Sequence, residues 1–269
     1  MALTATAPLR LCLAGMAAFW LIAATARAGE LPLRQVVETL FKAPPGSHPD
    51  FSGKDMSFLD LSEVDFKGAK LAGANLLGAN LSGANLSHTD LVGAKLDRTQ
   101  LKRTNFAHAD LSGASVFHAV GSLSFEAPAR DAPSFAAANL SGARIMARLS
   151  RADMHGANLT DARLGPPEPG NELKTPQQTD LSGANLAGAD LRRADMTRVN
   201  LAFADLTKAN LAGADLAGAD LSRAVLTGAN LAGVNLEDAD LDGANLQGAS
   251  GLDRVRGWDK ARNREKAIH

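Results

Sequence analysis

The chain has 269 residues, 45% of them hydrophobic, with only 4% aromatic residues and no tyrosine. That length allows one or two domains, and the aromatic poverty points to a thin core of small and aliphatic side chains. A formal net charge of −1 excludes both a polyanion and a general nucleic-acid-binding polycation.

In chain order, Arg10 precedes the apolar stretch LCLAGMAAFWLIAAT, Leu11 to Thr25, and Ala26-Arg27-Ala28 supplies a small-x-small cleavage site. This is the layout of a secretory signal peptide over residues 1–28. The run is too short for a comfortable membrane span, so the expectation is an exported, periplasmic chain with no transmembrane segment after cleavage before Gly29. The single cysteine, Cys12, lies inside this segment, and its removal excludes disulfide and thiolate chemistry. Next, LPLRQVVETLFKA has apolar residues at 33, 36, 37, 40 and 41, which is helical spacing, and APPGSHP breaks it. Residues 29–48 therefore read as a capping helix and linker ahead of a long repetitive array.

From residue 49 to 251 the chain repeats the unit A-(N/D)-L-x-x, seen most cleanly in ANLLGANLSGANL, Ala74 to Leu86. On an α-helix a step of five residues turns a net ~140°, so the leucines would spiral and never form a stripe. On a flat strand the same step alternates faces. The leucines share a core only if the chain turns once per repeat, each side being one short extended segment. Within a side, Ala and Leu point inward and the Asn or Asp between them points outward. Gly is frequent at the second corner residue (Gly73, Gly78, Gly83, Gly93), where it permits positive φ. Apolar centres recur from Phe51 to Val116 (14 repeats), from Phe135 to Leu164 (seven, with one residue missing between Ile145 and Leu149) and from Leu181 to Leu246 (14). In the last block Ala stands two before most centres, and Asn or Asp stands just before all but one of them, so three of five positions are constrained. Self-similarity on this scale means a solenoid.

This array resembles the pentapeptide-repeat family over most of the chain. The resemblance implies an all-β fold: a right-handed quadrilateral parallel β-helix with four repeats per coil. About 35 repeats then make nearly nine coils in a rod roughly 42 Å long, since strands stack ~4.8 Å apart. Short helical caps are expected at the ends, the N-terminal one over the mouth of the solenoid. Lys54, Leu59 and Val64 stand where Ala is usual, as expected near a terminus. Leu252 to His269 leaves the repeat; it resembles the tail that comes after such arrays, with Trp258 covering the last coil and the basic residues in solvent.

Two Pro-containing stretches interrupt the array, residues 118–132 and 165–178. Insertions in solenoids emerge as loops where binding often resides. Counting sides modulo four places the first loop between sides two and three and the second between sides one and two, roughly 7 Å apart along the axis. Phe125 and Arg130 of the first and Glu168 and Leu173 of the second are the expected partner-contact residues.

Residues four repeats apart stack in adjacent coils. His88 and His108 form such a column, but two imidazoles are fewer than a good zinc site uses. Phe203 and Arg223 form another, suited to a cation–π contact. No H-E-x-x-H, G-x-S-x-G, P-loop or dinucleotide motif occurs. No catalytic residue, metal or cofactor is expected. The function expected is a non-catalytic structural or interaction scaffold that binds a protein not named by the sequence, does not bind nucleic acid directly, and has an end or a side of the rod open to homodimerisation. The alternative is a nucleic-acid mimic: some cytoplasmic proteins of the resembled family copy the shape and charge of duplex DNA and protect topoisomerases. The last block, net −5 from 10 acidic and five basic residues, suits that alternative, whereas the middle block is net positive.

Overall fold

The computed structural model describes residues 31–121, 128–166 and 178–269. The signal-peptide expectation for residues 1–28 lies outside these. The described chain is a parallel β-helix. Short bridges link Asp50 to Lys70, Asp55 to Asn75, Asp60 to Asn80 and Asp65 to Asn85, and each series continues along the rod. We number the four sides from these residues, side one beginning at Asp50. Each coil repeats two bonds per side: Leu71 N–H donates to the Asp90 carbonyl (2.6 Å) and Asp90 N–H to the Ala69 carbonyl (3.1 Å). Every coil thus satisfies the backbone of its neighbours, which a single turn of chain cannot do for itself.

The five-residue unit explains each part. The central Leu and the Ala two before it are buried throughout; Leu191 and Leu211 are 0% exposed and Leu231 is 1%. At each corner the residue after Gly closes a turn, as in Ala74 N–H to the Leu71 carbonyl (2.9 Å). Such a turn needs positive φ at its second corner residue, which Gly73 supplies at 64°. Larger residues hold the same conformation elsewhere, including His88 at 58° and Arg223 at 56°. The ladder bonds on either side hold a geometry that costs roughly 1–2 kcal/mol without them.

The outward Asn and Asp have a structural role. Oδ1 of Asp55 accepts the Ser57 N–H (3.0 Å), and Asn75 Nδ2 reaches back to the same Asp55 oxygen (2.9 Å). The pattern recurs at Asn80 to Asp60 and Asn85 to Asp65, both 3.0 Å. A carboxamide or carboxylate there satisfies the corner amide and stitches coil to coil.

At the N-terminus, α1 (Leu33–Lys42) buries Val36 and Leu40 against the first coil. Leu31 N–H caps the Asp55 carbonyl (2.8 Å) and Lys67 Nζ donates to the Leu40 carbonyl (2.8 Å). Leu33, Val37 and Phe41 remain outside, Phe41 at 85% exposure. Only two of the five apolar residues of the stripe read from the sequence, Val36 and Leu40, face the mouth.

Two departures from the sequence expectation concern register. The first block does not end at Val116. Strand β1 (Ser115–Val120) runs on and pairs in parallel with β2 (Arg144–Arg148), and Val120 bridges Gln100 on side three. Gly121 then occupies the centre of that side. Without a side chain it gives no apolar signal, so the sequence count skipped a side. The second departure is the tail, which continues the β-helix. GLDRVR, GWDKAR and NREKAI form three six-residue sides, each with a positive-φ residue (Gly251, Gly257, Asn263) and a 3-10 turn. They bridge Asn235 to Arg256, Asp240 to Arg262 and Asn245 to Ile268. The sixth residue hides the period from a five-residue register. Trp258 packs against the core, as expected. The basic residues do not simply lie in solvent: Lys260 pairs with Glu237 (2.5 Å) and Lys266 with Asp242 (3.2 Å) in the coil before.

Candidate functional site

The interruptions are inserted without breaking the ladder. Asn105 bridges Ser134, a longer step along the chain than the regular coil that takes Asn85 to Asn105. Asp131 resumes the regular course, because its carbonyl accepts the Arg103 N–H (3.0 Å) in the slot that a residue just after the centre fills elsewhere. Its carboxylate pairs with Lys102 at 3.1 Å. Phe135 then stacks on Phe106, with ring centroids 4.8 Å apart, as the chain re-enters the core. At the second interruption Arg148 bridges Asp180, again a longer step than the regular coil from Asp180 to Asn200. Thr179 Oγ1 closes it, donating to the carbonyl of Leu164 (2.6 Å), with the Ile145 carbonyl 3.0 Å away. Each excursion therefore leaves and returns at one corner.

With the skipped side restored, the first excursion leaves between sides three and four and the second between sides two and three. Both positions move by one side from the sequence count, and the corners remain neighbours. Arg130 lies in the 3-10 turn Ala129–Asp131, exposed and next to the anchored Asp131. Phe125, Glu168 and Leu173 lie outside the described residues. Sequence reasoning missed Asp131 and Thr179, the residues that pin the excursions. Their signal is positional: Asp131 falls on a ladder slot once Val120 is recognised as a side, and Thr179 stands two residues before the buried centre Leu181.

Charge divides along the rod. Arg144 bridges Arg163 on side two, and Arg148 stands on side three. Arg144 also lies over the Phe117 ring, 5.5 Å from its centroid. Further on, Asp195 bridges Asp215 on side two and Asp220 bridges Asp240 on side three. Surface pairs lower carboxyl pKa values locally. The Arg193 guanidinium hydrogen-bonded to Asp161, and the Arg192 guanidinium hydrogen-bonded to Asp190, hold both carboxyls below their ordinary value.

The columns form as coil-to-coil stacking predicts. His88 and His108 stack with ring centroids 4.9 Å apart and planes 10° apart. Parallel rings aim their nitrogens side by side, not at a common point between them. Arg223 lies over Phe203, 5.5 Å from the centroid. Among the described residues no three His, Cys, Asp or Glu gather as a metal site. Nor is any described helix long and apolar enough to cross a membrane. A shallow pocket of about 320 Å³ lies between α1 and the first coil, beside Val37, Phe41 and Glu63. Glu63 is committed to Arg103, at 2.5 Å.

A family model described as pentapeptide repeats matches residues 60–98, 84–119, 134–165, 177–213 and 209–248. Among solved structures, the chain is similar to HetL, a pentapeptide repeat protein involved in heterocyst differentiation regulation from the cyanobacterium Nostoc. The two are 29% identical over 89% of this chain and 95% of that one, with a TM-score of 0.43. QnrB1, a plasmid-mediated fluoroquinolone resistance protein, is 20% identical over 79% of this chain and 91% of its own, with a TM-score of 0.43. A pentapeptide repeat protein of the Arabidopsis thaliana thylakoid lumen is 28% identical over 44% of this chain and 62% of its own, with a TM-score of 0.21. No curated protein sequence matches the chain.

Proposed function

Because the chain belongs to the pentapeptide-repeat family, we propose that it is an exported, non-catalytic scaffold, a four-sided rod made of the 35 repeats read from the sequence, the skipped side at Val120 and the three six-residue sides of the tail, that presents two loops to a protein partner. The observation that carries this reading is the division of labour in the molecule. The axis is filled by Leu and Ala, and the variable chemistry of the described residues is outside. The two interruptions are the least repetitive segments of the array, and their described ends are pinned at neighbouring corners by Asp131 and Thr179. Variable segments on a rigid scaffold are where specific contacts form. Arg130 brings a directional charge and Phe125 apolar area, residue types favoured at binding hot spots. Glu168 and Leu173 complete the proposed surface. Export to the periplasm rests on residues 1–28 alone.

The test is capture of crosslinked partners from cells, comparing the intact protein with one in which short Gly-containing corners replace both loops. Retrieval of the same partners at the same affinity by the trimmed protein would reject the loops as the binding surface. A second reading, an acidic rod that occupies a nucleic-acid-binding enzyme, is supported by the Asp195–Asp215 and Asp220–Asp240 rows. It requires the chain to remain in the cytoplasm, so localisation separates the two.

A further inference from the structure

Sides two and three meet at a corner where the repeat loses a residue. The buried centres Ile145 and Leu149 are four residues apart, whereas regular centres such as Leu76 and Leu81 are five apart. Strands β1 and β2 absorb the loss as an irregularity between Phe117 and Val120. Such irregularities bend a strand and re-aim its side chains. The short step draws Arg144 of side two and Arg148 of side three round one corner, both exposed. Lys95, two rungs before Arg144 on side two, and Arg98, at the corner of the Lys95 rung, are exposed as well. Phe58 stands at the same corner in the first coil. It is 69% exposed, and its ring lies over Gly78, where a Cβ would come within 2.6 Å of it. We propose that this corner is a docking stripe for a short acidic peptide segment of a partner protein, with Lys95, Arg98, Arg144 and Arg148 taking its carboxylates and Phe58 seating an apolar residue at one end.

These cations are uncommitted. Among the described residues none of them pairs with a carboxylate, whereas Lys102 and Arg103 at the next corner are spent on Asp131 and Glu63. Among the described residues on the rungs from Asn75 to Arg144, the one carboxylate on sides two and three is Asp97, and its Oδ1 accepts the Phe117 N–H (2.9 Å). Phe117 and Met146, half-buried, lay an apolar floor between the charges. A patch of one sign raises the local concentration of an oppositely charged ligand, and an arginine can hold a carboxylate by two parallel hydrogen bonds. The length of the stripe selects a short ligand. From the Asn75 rung, level with Gly78, to that of Arg144 is about 14 Å, the reach of about four extended residues. Acidic residues close both ends: Asp55 and Asp60 stand in the first coil, and Asp180 and Asp195 follow Arg148 and Arg163 on their ladders. A long polyanion such as duplex nucleic acid would run across those carboxylates, and a short acidic segment does not reach them. Arg163 is outside the stripe, because the chain leaves the rod just after Gly165 beside it. The inference rests on the scaffold reading in taking the partner to be a protein, and it needs neither loop.

The test is fluorescence anisotropy of labelled synthetic peptides with the purified protein as its host processes it. The probe is a run of glutamates ending in one leucine, beside an all-glutamate peptide of the same length. Binding is expected at about 0.01 M ionic strength, where the screening length is about 30 Å, and loss of it at about 1 M, where the length is about 3 Å. Arg98→Glu, Arg144→Glu and Arg148→Glu are each expected to weaken binding roughly tenfold or more. Lys208→Glu makes the same charge change at an exposed position on the opposite corner and is expected to leave binding unchanged. Phe58→Ala is expected to weaken the leucine-ended peptide and not the all-glutamate one. All five positions are exposed, so melting temperatures close to the wild type exclude misfolding as the cause. Absence of binding at low salt, or a loss with Lys208→Glu equal to that with Arg144→Glu, would overturn the proposal. Duplex DNA or polyphosphate that binds more tightly than the peptides would also overturn it, in favour of a long polyanion. Partner capture after loop trimming tests the scaffold reading separately, so the failure of one is distinguishable from the failure of the other.

Discussion

Single residues in this rod have their cost set by which way they point. Leu211 sits fully buried between the equally buried Leu191 and Leu231. Leu211→Ala is expected to destabilise the protein by about 2–5 kcal/mol, from lost burial plus an unfilled cavity. Leu211→Asp should be worse, because it leaves an unpaired charge on a dry axis. Chemical denaturation of both variants checks the register, and negligible change in both would contradict it. The outward carboxylates respond to acid instead. Hydrogen bonds from the Ser57 side chain and backbone hold Asp55 below its ordinary pKa. A carboxyl whose folded pKa is depressed contributes stability that is complete above its unfolded pKa and lost as pH falls through the folded value. Stability should therefore decline on acidification below about pH 5. Asp55→Asn keeps the Oδ1 acceptor and removes the titration, so its melting temperature should fall less steeply over that range. An unchanged pH profile would show that Asp55 contributes nothing to acid sensitivity.

At the scale of an element, glycine has two different uses. Gly121 fills a core slot where a Cβ would sit 2.7 Å from Pro133 Cδ and 3.2 Å from Leu149 Cδ2. Gly121→Ala is expected to cost about 1–3 kcal/mol by overpacking. Gly93→Ala meets no atom within 4 Å and is strained only by its φ of 64°, so it should cost less, on the order of 1 kcal/mol. Denaturation of the pair separates crowding from backbone strain. Gly257 combines both: φ is 70° and a Cβ would lie 2.6 Å from the Glu237 backbone nitrogen. Gly257→Ala should loosen the last coil while leaving earlier coils folded, because solenoid units contact only their neighbours. Hydrogen exchange confined to residues 252–269 is the expected signature; exchange spreading through Leu181 to Leu246 would mean that the tail is not a separable coil.

The whole molecule adds compartment and contact. Export predicts a mature N-terminus at Gly29, and N-terminal sequencing of protein from its native host checks it. A full-length chain in the cytoplasm would remove the periplasmic assignment and favour the charge-mimic reading. Loop removal should leave the β-helix intact, because both excursions close at one corner through local bonds from Asp131 and Thr179. Circular dichroism of the trimmed protein should be that of the parent. A trimmed chain that unfolds would show the loops to be part of the fold instead of attachments to it.

The repeat determined the β-helix, the inward Leu and Ala and the outward Asn and Asp, because a period of five with one large apolar residue has no other way to bury it. The His88–His108 and Phe203–Arg223 contacts were legible for the same reason: with four repeats to a coil, sequence distance becomes spatial adjacency. What the sequence could not show was register wherever the period fails. Gly121 holds a core slot with no side chain, and the tail lengthens each side by one residue, so neither carries the apolar beat that marks a side. Only the ladder bonds of Val120, Arg256, Arg262 and Ile268 reveal those sides as sides.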